Sequence, residues 1–215
     1  MRIPARTITV FAVAMLTALP LTQAQADPEA APAVERPIGK NLVKNGSFDQ
    51  PAVTREQRYK PVNSNNDSQI SPWRVSTEGD LHIFSKQEAG HPDNLQAANI
   101  TGNRKVTVEQ SIPDTEQGRR YQLTWMERTE TWEGCDRKPA RNQSYEVAVT
   151  GTRTKYYTPT GKWLAPDPKT IDFEAEGDTK IAFISQSDDN VDPAHCGALI
   201  TKVSLRELSS GTSSS

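Results

Sequence analysis

At 215 residues, with 34% hydrophobic and 24% charged side chains and a formal net charge of −2, the chain has the size of one globular domain with short appendages. Its 25 basic and 27 acidic residues form no basic run, which argues against nucleic acid or anionic lipid as the main partner. Three histidines and two cysteines leave few bases and nucleophiles for catalysis.

Residues 1–26 read as a secretory signal peptide: Arg2 and Arg6, then an apolar stretch from Ile8 to Leu21, then Ala24-Gln25-Ala26 as the cleavage site. The apolar stretch is shorter than the ~20 residues of a bilayer crossing and is interrupted by Thr17 and Pro20. Cleavage removes two of the 25 basic residues and none of the 27 acidic ones, leaving −4. The expected address is therefore secreted, extracellular and cell-wall associated, without membrane insertion. Residues 27–39 carry Pro28, Pro32 and Pro37 among Ala and Glu and read as a flexible leader, and 209–215 as a disordered Ser-rich tail. Residues 40–208 remain for the domain.

Within that domain nearly every apolar segment alternates with period two between turn residues. Strands are predicted at Leu42–Lys44, Trp73–Val75, Asp80–Phe84, Leu95–Ile100, Lys105–Ser111, Arg120–Arg128, Ser144–Thr150, Lys155–Thr158, Thr170–Glu174, Lys180–Ser185 and Leu199–Arg206. Asn45-Gly46 reads as a turn in which Gly46 is free to take positive φ, and Phe48 and Trp73 as core. The Phe173 and Ile181–Phe183 strands are expected to form a hairpin about Glu176-Gly177-Asp178. Ile200 sits out of phase with Val203 and Leu205, which a bulge near Thr201-Lys202 would explain. Many short strands with frequent turns define an all-β sandwich or barrel.

Several pieces, in order, resemble one family. They are Asn41-Leu42-Val43-x-Asn45-Gly46-x-Phe48-Asp49, Pro72-Trp73, Val108-x-Gln110, Gly118-x-x-Tyr121-x-Leu123, Cys135, Trp163, Phe173-x-Ala175 and Cys196-Gly197-x-x-Ile200-x-x-Val203. Together they resemble the galactose-binding-domain-like jelly rolls: family 4/9-type carbohydrate-binding modules and, above all, the secreted group called domain of unknown function 642. The resemblance implies a two-sheet antiparallel jelly-roll β-sandwich that binds a polysaccharide or glycan. Sandwiches of this class often hold a structural calcium, for which Asp49 fits one expected acidic position, while Thr201 and Lys202 stand where the last strand should supply another. Losing a carboxylate and gaining an ammonium weakens a site for a cation that wants six to eight oxygens, so no cofactor is expected. Asp188, Asp189 and Asp192 form a second oxygen-rich cluster, read as a solvated turn in preference to a metal site.

In an exported chain, Cys135 and Cys196 most simply form one disulfide. The alternative, a zinc site with His195, lacks a CxxC spacing and a fourth ligand. Sugars are held by exposed aromatic rings with polar side chains around them. The candidate ligand residues are Trp132, Tyr156, Tyr157 and Trp163, with Arg128, Glu130, Arg137 and Arg141 nearby. Gly-x-Ser-x-Gly, His-Glu-x-x-His and nucleotide fingerprints are absent, and nothing singles out a carboxylate pair for glycosidic cleavage. The leading expectation is non-catalytic binding of cell-wall or extracellular polysaccharide. An adhesive protein that binds another protein comes second, a glycan-active enzyme third.

Overall fold

The computed structural model describes residues 35–75, 79–100, 106–137, 140–163, 168–186 and 196–209. In chain order its strands are β1 (Pro37–Ile38), β2 (Tyr59–Val62), β3 (Arg74–Val75), β4 (Leu81–Phe84), β5 (Ala97–Asn99), β6 (Thr107–Ile112), β7 (Arg120–Thr129), β8 (Tyr145–Val149), β9 (Lys155–Tyr157), β10 (Lys169–Glu174), β11 (Thr179–Ser185) and β12 (Ala198–Leu208). They form two antiparallel sheets, ordered β10-β7-β12-β5-β4-β2 with β1 on the side of β12, and β3-β6-β11-β8-β9. This is a jelly-roll β-sandwich.

Alternation explains the layers. On β7, Tyr121, Leu123 and Trp125 point into the space between the sheets, where they meet Val147, Phe183 and Leu205. Phe48 and Trp73 stack at 5.3 Å within that core, as core residues should. One polar chain is buried with them: Trp125 Nε1 donates to the Tyr145 hydroxyl (2.7 Å), and that hydroxyl donates to Glu127. Lys169 Nζ lies 3.3 Å from the Glu127 Oε1 atom. Burial pushes the Glu127 carboxyl up despite these partners.

The two ends of the domain lie side by side. Leu42 N donates to Leu205 O and Val203 N to Gly46 O, both at 2.9 Å. Leu42–Lys44 forms no strand of its own, because the Asn41 side chain takes backbone donors a ladder would use, accepting from Val43 N (3.0 Å) and Leu205 N (2.9 Å). The positive φ angles fall on Asn45 (50°) and Phe48 (52°), with Gly46 outside that region. Gly46 is required by close approach: a Cβ there would lie 2.1 Å from Val203 O.

Three boundaries differ from the sequence reading. Pro37–Ile38, placed in the leader, pairs with Leu208 and Glu207 and so opens the sandwich. β10 and β11 do not form a hairpin: β10 pairs with β7, while β11 pairs with β6 and β8. Both strands bury their apolar faces, but in opposite sheets, and Ala175–Asp178 carries the chain across the sandwich edge, where Gly177 adopts φ 128° and its carbonyl accepts from Thr115 Oγ1 at 2.7 Å. Tyr59–Val62 is a strand that the alternation did not reveal, since Pro61 interrupts it; as the edge strand of its sheet it tolerates the missing donor.

The bulge in β12 lies where the phase of the sequence breaks. Pairing with β7 shifts register between Thr201 and Ser204, and Lys202 takes φ 53°. Ile200, Val203 and Leu205 thereby all face the core.

Candidate functional site

The face of the larger sheet that points away from the second sheet carries a separate cluster: Phe84, Ala89, Ala97, Trp163 and Leu199, with Tyr59, Met126 and Trp132 packed against it. The strand registers set out one row across this face: Arg128 on β7, Leu199 on β12, Asn99 on β5, His82 on β4 and Pro61 on β2. A sheet face with this much apolar surface needs a cover, and three short elements supply it.

The first is a single helical turn, α1 (Lys86–Ala89). Ser85 caps its start by accepting from Glu88 N (3.4 Å), and Gly90 closes it in the left-handed region. The second is Trp163, whose Nε1 donates to Ala89 O at 2.7 Å, with His91 edge-on at 4.9 Å and the Arg128 guanidinium 5.6 Å from the ring. The third is the 3₁₀ turn Trp132–Arg137, tied by the disulfide Cys135–Cys196 to the segment that leads into β12, with Cα atoms 5.4 Å apart. The structure therefore assigns the cysteines to a disulfide.

Trp132 is half-buried and heads an aromatic row. It meets Tyr59 edge-on at 5.6 Å and Phe84 at 6.3 Å, and Tyr59 stacks on His82 at 4.6 Å. The Arg58 guanidinium covers the Trp132 ring at 4.4 Å and pairs with Glu88 at 2.9 Å. Glu88 also holds Arg128, its carbonyl accepting from Nη2 at 3.3 Å. One helical turn thus positions both arginines, and each arginine faces one tryptophan. Beyond His82, Asn63 Nδ2 donates to Asp80 at 3.0 Å, which puts an amide and a carboxylate at the rim of the row.

Glu130 fixes the Trp132 turn from beneath. Its Oε2 accepts from Asn99 Nδ2 (2.6 Å) and its Oε1 from Trp132 N (3.2 Å), while its own backbone exchanges hydrogen bonds with the Gln143 side chain. Glu130 is 1% exposed, and burial pushes its carboxyl up to about 7 against those two donors. Burial also pulls Arg128 down, although the nearby Glu130 opposes this. Glu127, on β7, turns into the inter-sheet core to accept from Tyr145, whereas Glu130, just after β7, accepts from Asn99 and from the Trp132 turn.

Of the residues singled out by sequence, Trp132, Trp163, Arg128 and Glu130 come together on this face. Tyr157 turns into the inter-sheet core, 5.0 Å from Trp125 and 5.6 Å from Tyr145, while Tyr156 next to it is 60% exposed on edge strand β9. Arg137 is exposed at the end of its 3₁₀ turn. Arg141 belongs to the turn Ala140–Gln143, and its side chain lies outside the described residues, as do Asp188, Asp189, Asp192 and His195. Sequence reasoning missed Arg58, Tyr59 and His82. The available signal was Tyr59 and Val62 flanking Pro61, a pattern compatible with an edge strand.

The calcium expectation meets a specific geometry. Asp49 is exposed, Thr201 Oγ1 donates to Gln96 O at 2.7 Å, and Lys202 pairs with Asp93. These groups do not fit a cation cage.

Strand order and register define a two-sheet antiparallel jelly-roll sandwich with an aromatic-lined outer face. The chain belongs to the DUF642 family, described as "Protein of unknown function (DUF642)", which matches residues 41–206. No curated protein matches it. Solved structures similar to it include TmCBM61 in complex with β-1,4-galactotriose (17% identity, TM-score 0.46, covering 79% of this chain and 99% of that one). A family 4 carbohydrate-binding module is 15% identical, with a TM-score of 0.42 and coverage of 76% and 98%. A putative sugar binding protein from Bacteroides thetaiotaomicron VPI-5482 is 12% identical, with a TM-score of 0.42 and coverage of 78% and 100%.

Proposed function

We propose that this chain is secreted and binds a cell-wall or extracellular polysaccharide without turnover, through the outer face of its larger sheet. The observation that carries this reading is the Trp132–Tyr59–His82 row with Arg58, Asn63 and Asp80 around it. Pyranoses present apolar faces to aromatic rings and hydroxyls to amides, carboxylates and guanidinium groups. The row is pre-formed, since the disulfide, Glu130 and α1 hold its members before any ligand arrives.

A glycan array and a polysaccharide pull-down with the exported chain test this directly. Saturable binding that weakens about tenfold or more in Trp132→Ala and in Arg58→Ala, each still folded, is the expected result. Retention on no glycan would sink the reading. Intact mass of the exported protein should begin at Asp27. A second reading, adhesion to another protein, draws on Tyr156, exposed on the edge strand of the smaller sheet. Under that reading Tyr156→Ala abolishes capture of the partner while Trp132→Ala leaves it intact.

A further inference from the structure

The loop from Asn45 to Val53 and the bulged strand β12 converge on one side chain. Gln96, 2% exposed just before β5, donates through Nε2 to Phe48 O (2.5 Å) and to Pro51 O (3.0 Å). Its Oε1 accepts from Val53 N at 2.7 Å, and its backbone carbonyl accepts from Thr201 Oγ1 at 2.7 Å. The carboxamide therefore gathers two carbonyls of the loop around a partly positive centre, while the backbone of the same residue is tied to β12 through Thr201. A divalent cation gathers oxygens in the same way with more charge. An amide hydrogen and a cation cannot occupy the same position against the Phe48 and Pro51 carbonyls.

We infer that the Gln96 carboxamide takes the place of a structural cation, so that the Asn45–Val53 loop is organised without metal. The same cage becomes a divalent-cation site when the amide nitrogen is exchanged for a carboxylate oxygen. Two donated hydrogen bonds are lost in that exchange. The two carbonyls and the new carboxylate then supply oxygens to one point, with water to complete a shell.

Thermal unfolding of the secreted chain in excess EDTA and in millimolar calcium chloride tests this, with Gln96→Ala, Gln96→Glu and Asp49→Asn as variants. Wild-type Tm should agree between the two conditions to about 1 °C. Gln96→Ala should lower Tm by about 5–10 °C in both, because buried carbonyls lose their donors. Gln96→Glu should be destabilised in EDTA and regain about 5 °C or more in calcium, saturably. Terbium should give sensitised luminescence with Gln96→Glu alone, since Trp73, whose indole donates to Asn45 O, borders the loop. A calcium-dependent rise in the wild type that Asp49→Asn removes would overturn the inference. So would a Gln96→Glu chain that folds and ignores calcium, or one that calcium does not rescue.

Discussion

At the scale of single residues, Glu130 shows how the site depends on one protonation state. Its ordinary carboxyl value of 4.5 rises to about 7 in the fold, so between these two pH values the native state holds a proton that the unfolded chain has released. Stability from this group is therefore fully present below about 4.5 and is lost as pH rises through about 7, a loss on the order of 3 kcal/mol. Urea unfolding of Glu130→Gln should show a smaller drop between acid and alkaline pH than wild type. Glu127, raised in the same direction, keeps part of the slope. A site in which Glu130 was already ionised at acid pH would give parallel curves for the two proteins. Little of this was visible in sequence. Glu130 was a candidate because it sits near Trp132, but its burial follows from the strand parity that turns it under Asn99, a long-range fact. Phe48 and Trp73 were legible because large apolar rings have one inexpensive destination.

At the scale of elements, strong alternation was readable and its exceptions were not. β7 alternates through all ten residues and emerged close to its observed bounds. β2 did not, since a four-residue edge strand with a proline in it has too little pattern. The β10–β11 link was misread because turn chemistry between two apolar strands signals a reversal of direction without saying whether both strands share a sheet. α1 is too short for any period to show, and it is held from outside by Trp163 and Arg128. Trp163→Ala should accordingly free this turn while leaving the sandwich closed. In hydrogen exchange, the Ala89 and Gly90 amides, which bond Ser85 O and Lys86 O, should exchange about 100-fold faster, and β7–β12 amides should keep their protection. Uniform acceleration across both sets would show that Trp163 supports the whole fold instead.

At the scale of the whole molecule, the disulfide joins residues 61 apart, and closing a loop of that length is worth about 4 kcal/mol in the chain-entropy account. A Cys135→Ser, Cys196→Ser double variant should lose stability of that order in urea and, with it, the fixed position of the Trp132 turn, so under the proposed function glycan affinity should fall as well. Equal stability in the two proteins would place the role of the bond in the turn alone. The overall architecture was largely readable from alternation and from the pieces at either end of the domain, which lie against each other through Gly46 and Val203. The candidate face was only partly readable, because its members come from β2, β4, β5, β7, β12, α1 and the segments around Trp132 and Trp163, which only the fold assembles. The bulge at Lys202 has a consequence of its own. It acts on β12 as a frameshift acts on a gene: upstream of it Leu199 faces outward, and downstream Ser204 and Arg206 do, so one strand is written in two phases. Remove the extra residue, and every side chain from Val203 to Leu205 is translated onto the wrong side of the sheet.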